Sequence, residues 1–336
     1  MSTRQFDGLL FIGDPHVCSK KVGRRKDDYL QSVLEKLAYC AQLCQDYNLM
    51  PLISGDLFHR SYDNSLKMLT RLTRVLKTFP TAPLVLDGNH DMALMELSDD
   101  DALALLSEAG TVRTVDKAGE IEQVLIAGEL VRLWGCPFGA EIPTSLPKFD
   151  GTTIMLTHHD MAFKDCYPQS KPLLSIENCE SVWNGHIHGN KPSELVGTTW
   201  WHNPGNIEPL SVDLADHIPR AWLWTPDTAP GELTGLDLPH GTDLFDLTGR
   251  LVDAADSDEA VKAWADAAGE GLPLGLSQFS ALIKAQTQSD ATKTDDASVL
   301  AMDLNEVLQV ATVSAASRQL MQGLFDSLTK SVQTTE

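Results

Sequence analysis

The chain contains no run of about 18 consecutive apolar residues, the shortest that spans a membrane as a helix. Its first residues, MSTRQFDGLLFIGD, include a short apolar run but lack the basic flank and small-residue cleavage site of a secretory signal. The expectation is a cytoplasmic protein with no membrane partner. The six cysteines (Cys18, Cys40, Cys44, Cys136, Cys166 and Cys179) include no CxxC pair and fit no zinc-finger spacing, which leaves reduced, mostly buried thiols. No internal repeat is visible. Positive charge is scarce: 26 Lys and Arg stand against 47 Asp and Glu, a formal net charge of −21. That imbalance discourages any reading in which the whole surface attracts nucleic acid or anionic membrane.

What is present describes a folded chain. Hydrophobic residues make up 43% and charged residues 22%, which excludes a wholly disordered protein. A length of 336 residues suits one large α/β domain with an appendage, or two medium domains. The charge is uneven: residues 1–210 carry −8, and the much shorter stretch 211–336 carries −13. Two regions with different jobs are expected.

In the first region, short apolar runs each end in a polar cluster. Leu9-Leu10-Phe11-Ile12 leads into Gly13-Asp14-Pro15-His16, and Leu52-Ile53 into Ser54-Gly55-Asp56. Leu84-Val85-Leu86 leads into Asp87-Gly88-Asn89-His90-Asp91, Ile154-Met155-Leu156 into Thr157-His158-His159-Asp160, and Val182-Trp183 into Asn184-Gly185-His186-Ile187-His188. Bounding glycines and the Val and Ile content favour strands buried on both faces. Leu30, Val33, Leu34, Leu37, Ala41 and Cys44 recur at helical spacing, as do Leu66, Leu69, Leu72, Val75 and Leu76. Strand–helix alternation with parallel strands follows. Residues 111–135 read instead as a meander of three strands that starts a second sheet, with helices outside both sheets. Every polar cluster then lies at the carboxyl end of a strand, where α/β sheets hold their ligands.

Seven of the ten histidines sit in or beside these clusters. Asp14, His16, Asp56, Asn89, His158, His186 and His188 form a mixed carboxylate, imidazole and amide set. That set suits divalent manganese, iron or zinc better than calcium or magnesium. Seven ligands are too many for one ion, and Asp56 could bridge two.

The series GDPH, GDLFHR, DGNHD, THHD and GHIHG resembles the five signatures of the calcineurin-like metallophosphoesterases over roughly residues 8–210. The resemblance implies an α/β fold, a four-layer αββα sandwich of two mixed sheets, with a small C-terminal cap or helical region. It implies that Asp14, His16, Asp56 and His188 hold one metal, and that Asp56, Asn89, His158 and His186 hold the other, with manganese the expected cofactor and iron or zinc the alternatives. His90 would be the acid or transition-state donor, with Asp91 fixing its tautomer. Between the adjacent His158 and His159, the position just after the apolar run favours His158 as the ligand. His159 would then support the site or face the substrate, as would His59 and Arg60.

GDLFH followed by a helix is similar to SbcD-type nuclease subunits, and Asn203-Pro204-Gly205-Asn206-Ile207-Glu208 resembles a later segment of that branch. Two basic stretches border the metal loops: residues 18–36 carry +3 and residues 60–80 carry +4. A phosphate backbone would pass there. The resulting expectation is a two-metal DNA exo- or endonuclease. Its partners would be DNA, an SbcC-type coiled-coil ATPase docked on the C-terminal helices, and a second copy of the chain. The alternatives are a phosphodiesterase or phosphatase for a small phosphoester such as a nucleotide, and an inactive scaffold. The expected domains are a catalytic core over 1–215, a strand-containing cap-like region over 216–286, and a linker with amphipathic helices over 287–336.

Overall fold

The computed structural model describes residues 5–246, apart from 63, 165, 167 and 168. These belong to one unit, spanning Met1–Thr248. The expected linker and C-terminal helices, the later part of the cap-like region and the ATPase docking surface lie outside the described residues.

The strand at the heart of the fold, β2 (Gly8–Ile12), follows a short β1 (Gln5–Phe6) and is buried along its whole length. Side chains alternate across a strand, so Leu10 and Ile12 face one core while Leu9 and Phe11 face another. This is why the sequence there is continuously apolar. Helix α1 (Tyr29–Asp46) starts at Asp28, whose side chain accepts from the Gln31 amide, and buries Leu30, Val33, Leu34, Leu37, Ala41 and Cys44 as the spacing predicts. Strand β3 (Leu49–Ile53) pairs parallel with β2, and β4 (Leu84–Leu86) with β3. Between them α2 (Leu66–Leu76), capped by Ser65, buries Met68, Leu72 and Leu76. Leu66, expected in its apolar stripe, is 81% exposed, because the buried face steps by four residues back from Leu76 to Met68. A short α3 (Ala102–Glu108), which the apolar spacing does not single out, leads to β5 (Arg113–Val115).

Here the structure departs from the expected meander. Strand β5 pairs parallel with β4 and closes the first sheet. Only β6 (Gly119–Ile126) and β7 (Glu129–Cys136) form the hairpin that opens the second. Parallel β8 (Thr152–Thr157) and β9 (Ser181–Asn184) follow, with β10 (Lys191–Val196) and β11 (Thr199–Asn203) completing that sheet in the order β1-β6-β7-β8-β9-β11-β10. The chain then returns: β12 (Arg220–Trp224) pairs antiparallel with β2, and β13 (Thr234–Asp237) with β12. These strands, which fall in the expected cap-like region, extend the first sheet to the order β13-β12-β2-β3-β4-β5.

Both sheets are mixed and stack as a sandwich. Leu9, Phe11, Leu52 and Leu84 meet Val131, Leu133, Leu156 and Trp183 between them, and Phe11 stacks flat on Trp183 at 3.6 Å. Helices α1, α2 and α3 cover the outer face of the first sheet. The outer face of the second was expected to carry helices too. Among the described residues it is covered by loop side chains, Ile142, Leu146, Met161, Phe163 and Ile176, against Met155, Val182 and Trp201. All six cysteines are free, and only Cys166 is exposed. No described helix is long and apolar enough to cross a membrane.

A buried ion network ties the first ligand loop to this frame. Arg25, Lys36 and Glu208 are each at most 1% exposed. Glu208 takes Arg25 Nη1 on one oxygen, and on the other it accepts Lys36 Nζ at 2.8 Å and Ser32 Oγ at 3.0 Å. Arg25 also grips Asp27 through Nε and Nη2 at 2.7 and 2.5 Å. Arg25 therefore does not face a phosphate path, as the basic stretch suggested, and its neighbour Lys26 pairs with Asp243 at 2.6 Å.

Removing one partner from such a network leaves the others charged and uncompensated. Glu208→Gln is expected to lower the unfolding free energy by about 3–5 kcal/mol in denaturant titration at neutral pH. A change near zero would show that the network is dispensable. A second prediction concerns His202, buried against Trp183 with Nδ1 2.9 Å from Ser193 Oγ. Burial pushes its imidazole down to about 4. The unfolded chain takes up that proton near pH 6.5, so stability is present above this value and is lost as pH falls towards 4, by on the order of 3 kcal/mol. Unfolding curves measured across that window should be flatter for His202→Gln than for the parent.

Candidate metal centre

The five expected clusters come together. Strands β2, β3 and β4 lie side by side in one sheet, β8 and β9 side by side in the other, and the loops after all five meet at one edge of the sandwich. Two of these loops continue to pair beyond the strands: the amides of His16 and Val17 donate to the carbonyls of Asp56 and Leu57, at 2.9 and 2.8 Å. The backbone turns sharply at the ligands. His16 (φ 47°), Asp56 (φ 48°) and His186 (φ 75°) all adopt the left-handed region, which side chains other than glycine avoid at a cost of about 1–3 kcal/mol. Such strain persists where surrounding contacts hold it, and here it aims three donors at one point.

Glycines make the crowding bearable. A Cβ at Gly88 would lie 2.1 Å from Asp56 Oδ1, and one at Gly185 would lie 2.5 Å from His158 Nδ1 and 2.8 Å from Asp14 Oδ1.

The donors fall into the expected sets. Asp14, His16, Asp56 and His188 each offer a ligand atom within 4.8 Å of the others, as do Asp56, His158 and His186. Asp56 is common to both. Asn89 joins the second set through Oδ1, 3.0 Å from His186 Nδ1. A further trio, His16, His59 and His90, lies equally close together.

Several atoms of these side chains have no hydrogen-bond partner although they are buried: Asp14 Oδ1, His16 Nδ1, His158 Nε2 and His59 Nδ1. His158 is informative. Its Nδ1 lies 2.7 Å from the Ser54 carbonyl, so Nδ1 carries the proton in the neutral ring and Nε2 presents a lone pair, 3.3 Å from Asp56 Oδ2. His16 Nε2 and His188 Nε2 face each other at 2.9 Å. Convergent lone pairs on buried imidazoles and carboxylates are the donor chemistry of a divalent transition metal, and the residues fit two such ions.

The electrostatics agree. Burial pushes His16 well down and His188 down to about 4, so both rings are neutral, the form that binds metal. Burial raises Asp14, against the pull of His158. Burial would raise Asp56 too, but His158 and His16 outweigh it and hold its carboxyl below the ordinary range. His158 is pushed up, because Asp56 and Asp14 outweigh its own desolvation. Without a cation, a proton on His158 balances the two carboxylates.

Around the ligands, two expectations change. Asp91 does not touch His90: its carboxylate accepts the amides of Phe58 at 2.9 Å, Gly88 at 3.1 Å and Leu57 at 3.3 Å, tying two ligand loops together. The His90 tautomer is set instead by the His59 carbonyl, 2.8 Å from Nδ1, which leaves Nε2 for a substrate. His159 does not face a substrate either. It is buried, with Nδ1 2.5 Å from Thr157 Oγ1 and Nε2 2.9 Å from the Ala140 carbonyl, so both ring nitrogens are engaged. His59 stacks on His90 with centroids 5.6 Å apart, and Arg60 is exposed beside it.

Other contributors carry weaker signals in the sequence. Asn184 is wholly buried, accepts the His159 amide and donates to Asn203, whose own amide holds the Ile187 and Gly189 carbonyls on either side of His188. The Asn206 amide donates to the His188 carbonyl, and the Ile207 amide to that of Gly13. A polar residue closing an apolar strand is the available signal for Asn184 and Asn203. Nothing local marks Ser54, whose contribution is a main-chain carbonyl.

No protein-family model matches the chain, and no curated protein matches it. Among solved structures, it is similar to a hypothetical protein from Thermus thermophilus, at 12% identity and a TM-score of 0.40, over 69% of this chain and 100% of that one. It is also similar to a 5'-nucleotidase precursor from the same organism, at 15% identity and a TM-score of 0.37, over 69% of this chain and 54% of that one. A third is the NAD nucleotidase of Haemophilus influenzae, at 11% identity and a TM-score of 0.37, over 69% and 55% of the respective chains. The chain thus spans about half the length of these two nucleotidases.

Proposed function

We propose that the chain is a phosphoesterase that works with two divalent cations, and that its substrate is a small phosphoester such as a nucleotide. The observation that carries this reading is the sharing of Asp56 between two sets of convergent donors, with His90 beside one of them. When bound, the cations would acidify a water and offset charge on the phosphoryl oxygens. The chain's own part is to hold that arrangement and to move a proton. His90, whose Nδ1–H donates to the His59 carbonyl, acts in its imidazolium form: Nε2–H faces the departing ester oxygen and protonates it as the P–O bond breaks, leaving a neutral ring with its proton on Nδ1. His59, with its unpartnered Nδ1, and the exposed Arg60 lie on the same side and suit the phosphoryl group.

The small substrate is favoured over DNA by the fate of the basic stretches. Arg25 is engaged by Glu208 and Asp27, and Lys26 by Asp243. A net charge of −21 then opposes a long phosphate backbone with less local compensation than a count of cations suggests.

Hydrolysis of bis(p-nitrophenyl) phosphate should require manganese, iron(II) or zinc and stop on chelation. His90→Asn should lower kcat by about 100- to 10,000-fold while retaining both metals by elemental analysis. Asp56→Asn should lose both. The same preparations, offered labelled duplex DNA, single-stranded DNA and a cyclic nucleotide, should turn over the nucleotide. DNA cleavage without nucleotide turnover would restore the nuclease reading, and no metal-dependent turnover of any phosphoester would end both.

A further inference from the structure

A sixth strand end opens on the metal centre. Strand β7 finishes in Gly135-Cys136, Pro137-Phe138-Gly139 follows, and the Phe138 ring reaches back to the ligands of the second set. Its centroid lies 5.9 Å from that of His186 and 6.4 Å from that of His158, and it stacks on His159 at 6.3 Å with planes 25° apart. Phe138 is only partly buried, and so is His186 beside it.

The loop that carries Phe138 is held from several sides. The Phe138 amide donates to the Asp87 carbonyl at 3.1 Å, the Ala140 amide to the Pro137 carbonyl at 3.1 Å, and His159 Nε2 contacts the Ala140 carbonyl. Gly139 takes φ +83°, and a Cβ there would lie 3.3 Å from Met95 Cε. Met95 itself is 72% exposed and its neighbour Leu94 77% exposed. Their loop is not loose, because the buried Asp101 carboxylate accepts the amides of Ala93 and Ser98 at 3.0 and 2.9 Å. Two held loops therefore present a partly exposed aromatic ring next to His186 and His158 and, against the adjoining Gly139, a large exposed thioether. Surfaces of this kind, rimming a few convergent polar groups, are what small-molecule sites are made of.

The centre is thus asymmetric. His59, His90 and Arg60 lie by the first donor set, where charge on a phosphoryl group and its leaving oxygen would be met. Phe138 lies by the second, with Met95 against the adjoining Gly139, where the ring would meet a planar apolar group. We propose that Phe138, with Met95 beside it, is the stacking face for an aromatic part of the substrate, a nucleobase carried on the phosphoester. This rests on the phosphoesterase reading above and specifies its substrate class. Phe138 determines specificity and takes no part in bond breaking. His159, through Ala140, is a positioning residue for it.

The test is competitive inhibition of bis(p-nitrophenyl) phosphate hydrolysis by adenosine 5'-monophosphate and by ribose 5-phosphate, which differ in whether the sugar carries a base. A base stacked on an aromatic side chain strengthens binding by about tenfold. The parent protein should therefore bind the nucleotide about tenfold more tightly than the sugar phosphate. Phe138→Leu should bring the two inhibition constants together, and Phe138→Trp should restore the difference, with metal content and thermal midpoint compared across all three. Equal inhibition constants in the parent would overturn the stacking face while leaving the phosphoesterase intact. So would a Phe138→Leu protein that keeps its two metals and its preference for the nucleotide. If Phe138→Leu loses metal, Met95→Ser provides the second variant and should weaken nucleotide binding alone. Failure of the parent to hydrolyse any phosphoester would overturn the underlying reading, and the stacking face with it.

Discussion

Two buried carboxylates, Asp14 and Asp56, sit within a cluster of imidazoles, and the surrounding structure makes that concentration of donors tolerable. Charge in a low-dielectric interior is costly unless it is paired. Here the pairing is incomplete within the protein: Asp14 Oδ1, His16 Nδ1 and His158 Nε2 are buried without a hydrogen-bond partner. The backbone is also held in left-handed turns at His16, Asp56 and His186. A site that stores strain and leaves buried polar atoms unpaired is organised for something the chain itself does not supply, and divalent cations would supply it.

The supporting residues act largely through the main chain. The Ser54 carbonyl selects which nitrogen of His158 is free, and the His59 carbonyl does the same for His90. Asp91 collects three amides from two ligand loops, and Asn203 holds the carbonyls flanking His188. Behind these, Glu208 joins the first ligand loop to α1 through Arg25 and Lys36. The rigidity reaches the rim, where His159 and Asp101 fix the loops that present Phe138 and Met95. Imidazoles gather on one side of the centre and the Phe138 ring lies on the other, a contrast that on the proposed reading would distinguish the two ends of a phosphoester.

Much of this is legible in the sequence, and for a definite reason. Strands buried on both faces are written as unbroken apolar runs, and the polar residues that stop them are visible as interruptions. Asp14, His16, Asp56, Asn89, His158, His186 and His188 all stand as strand-end interruptions, and the structure brings them to one place. Helix α1 is equally clear, since one face of it is apolar at every expected step. The less visible features are set by pairing. Nothing in Val112–Val115 says that this segment joins β4 rather than the following hairpin. Nothing in the apolar residues of 137–180 says that loops, not helices, cover the second sheet. The segment Arg220–Trp224 is recognisable as a strand, but its return to pair with β2 is a choice of neighbour that local sequence does not encode.

The same division holds at the level of single side chains. Residue types at the strand ends are written directly in the chain, because ligand chemistry requires carboxylate, imidazole and amide at those spacings. What each side chain does depends on the contacts that folding gives it. Arg25 reads as part of the basic stretch over residues 18–36 but is buried against Glu208. His159 reads as the twin of His158 but commits both nitrogens to Thr157 and Ala140. Asp91 reads as the partner of His90 but binds amides, two of them from the loop after β3. In each case a deciding contact comes from a segment that is not adjacent in the chain, and a side chain's protonation, direction and availability follow from what surrounds it in space.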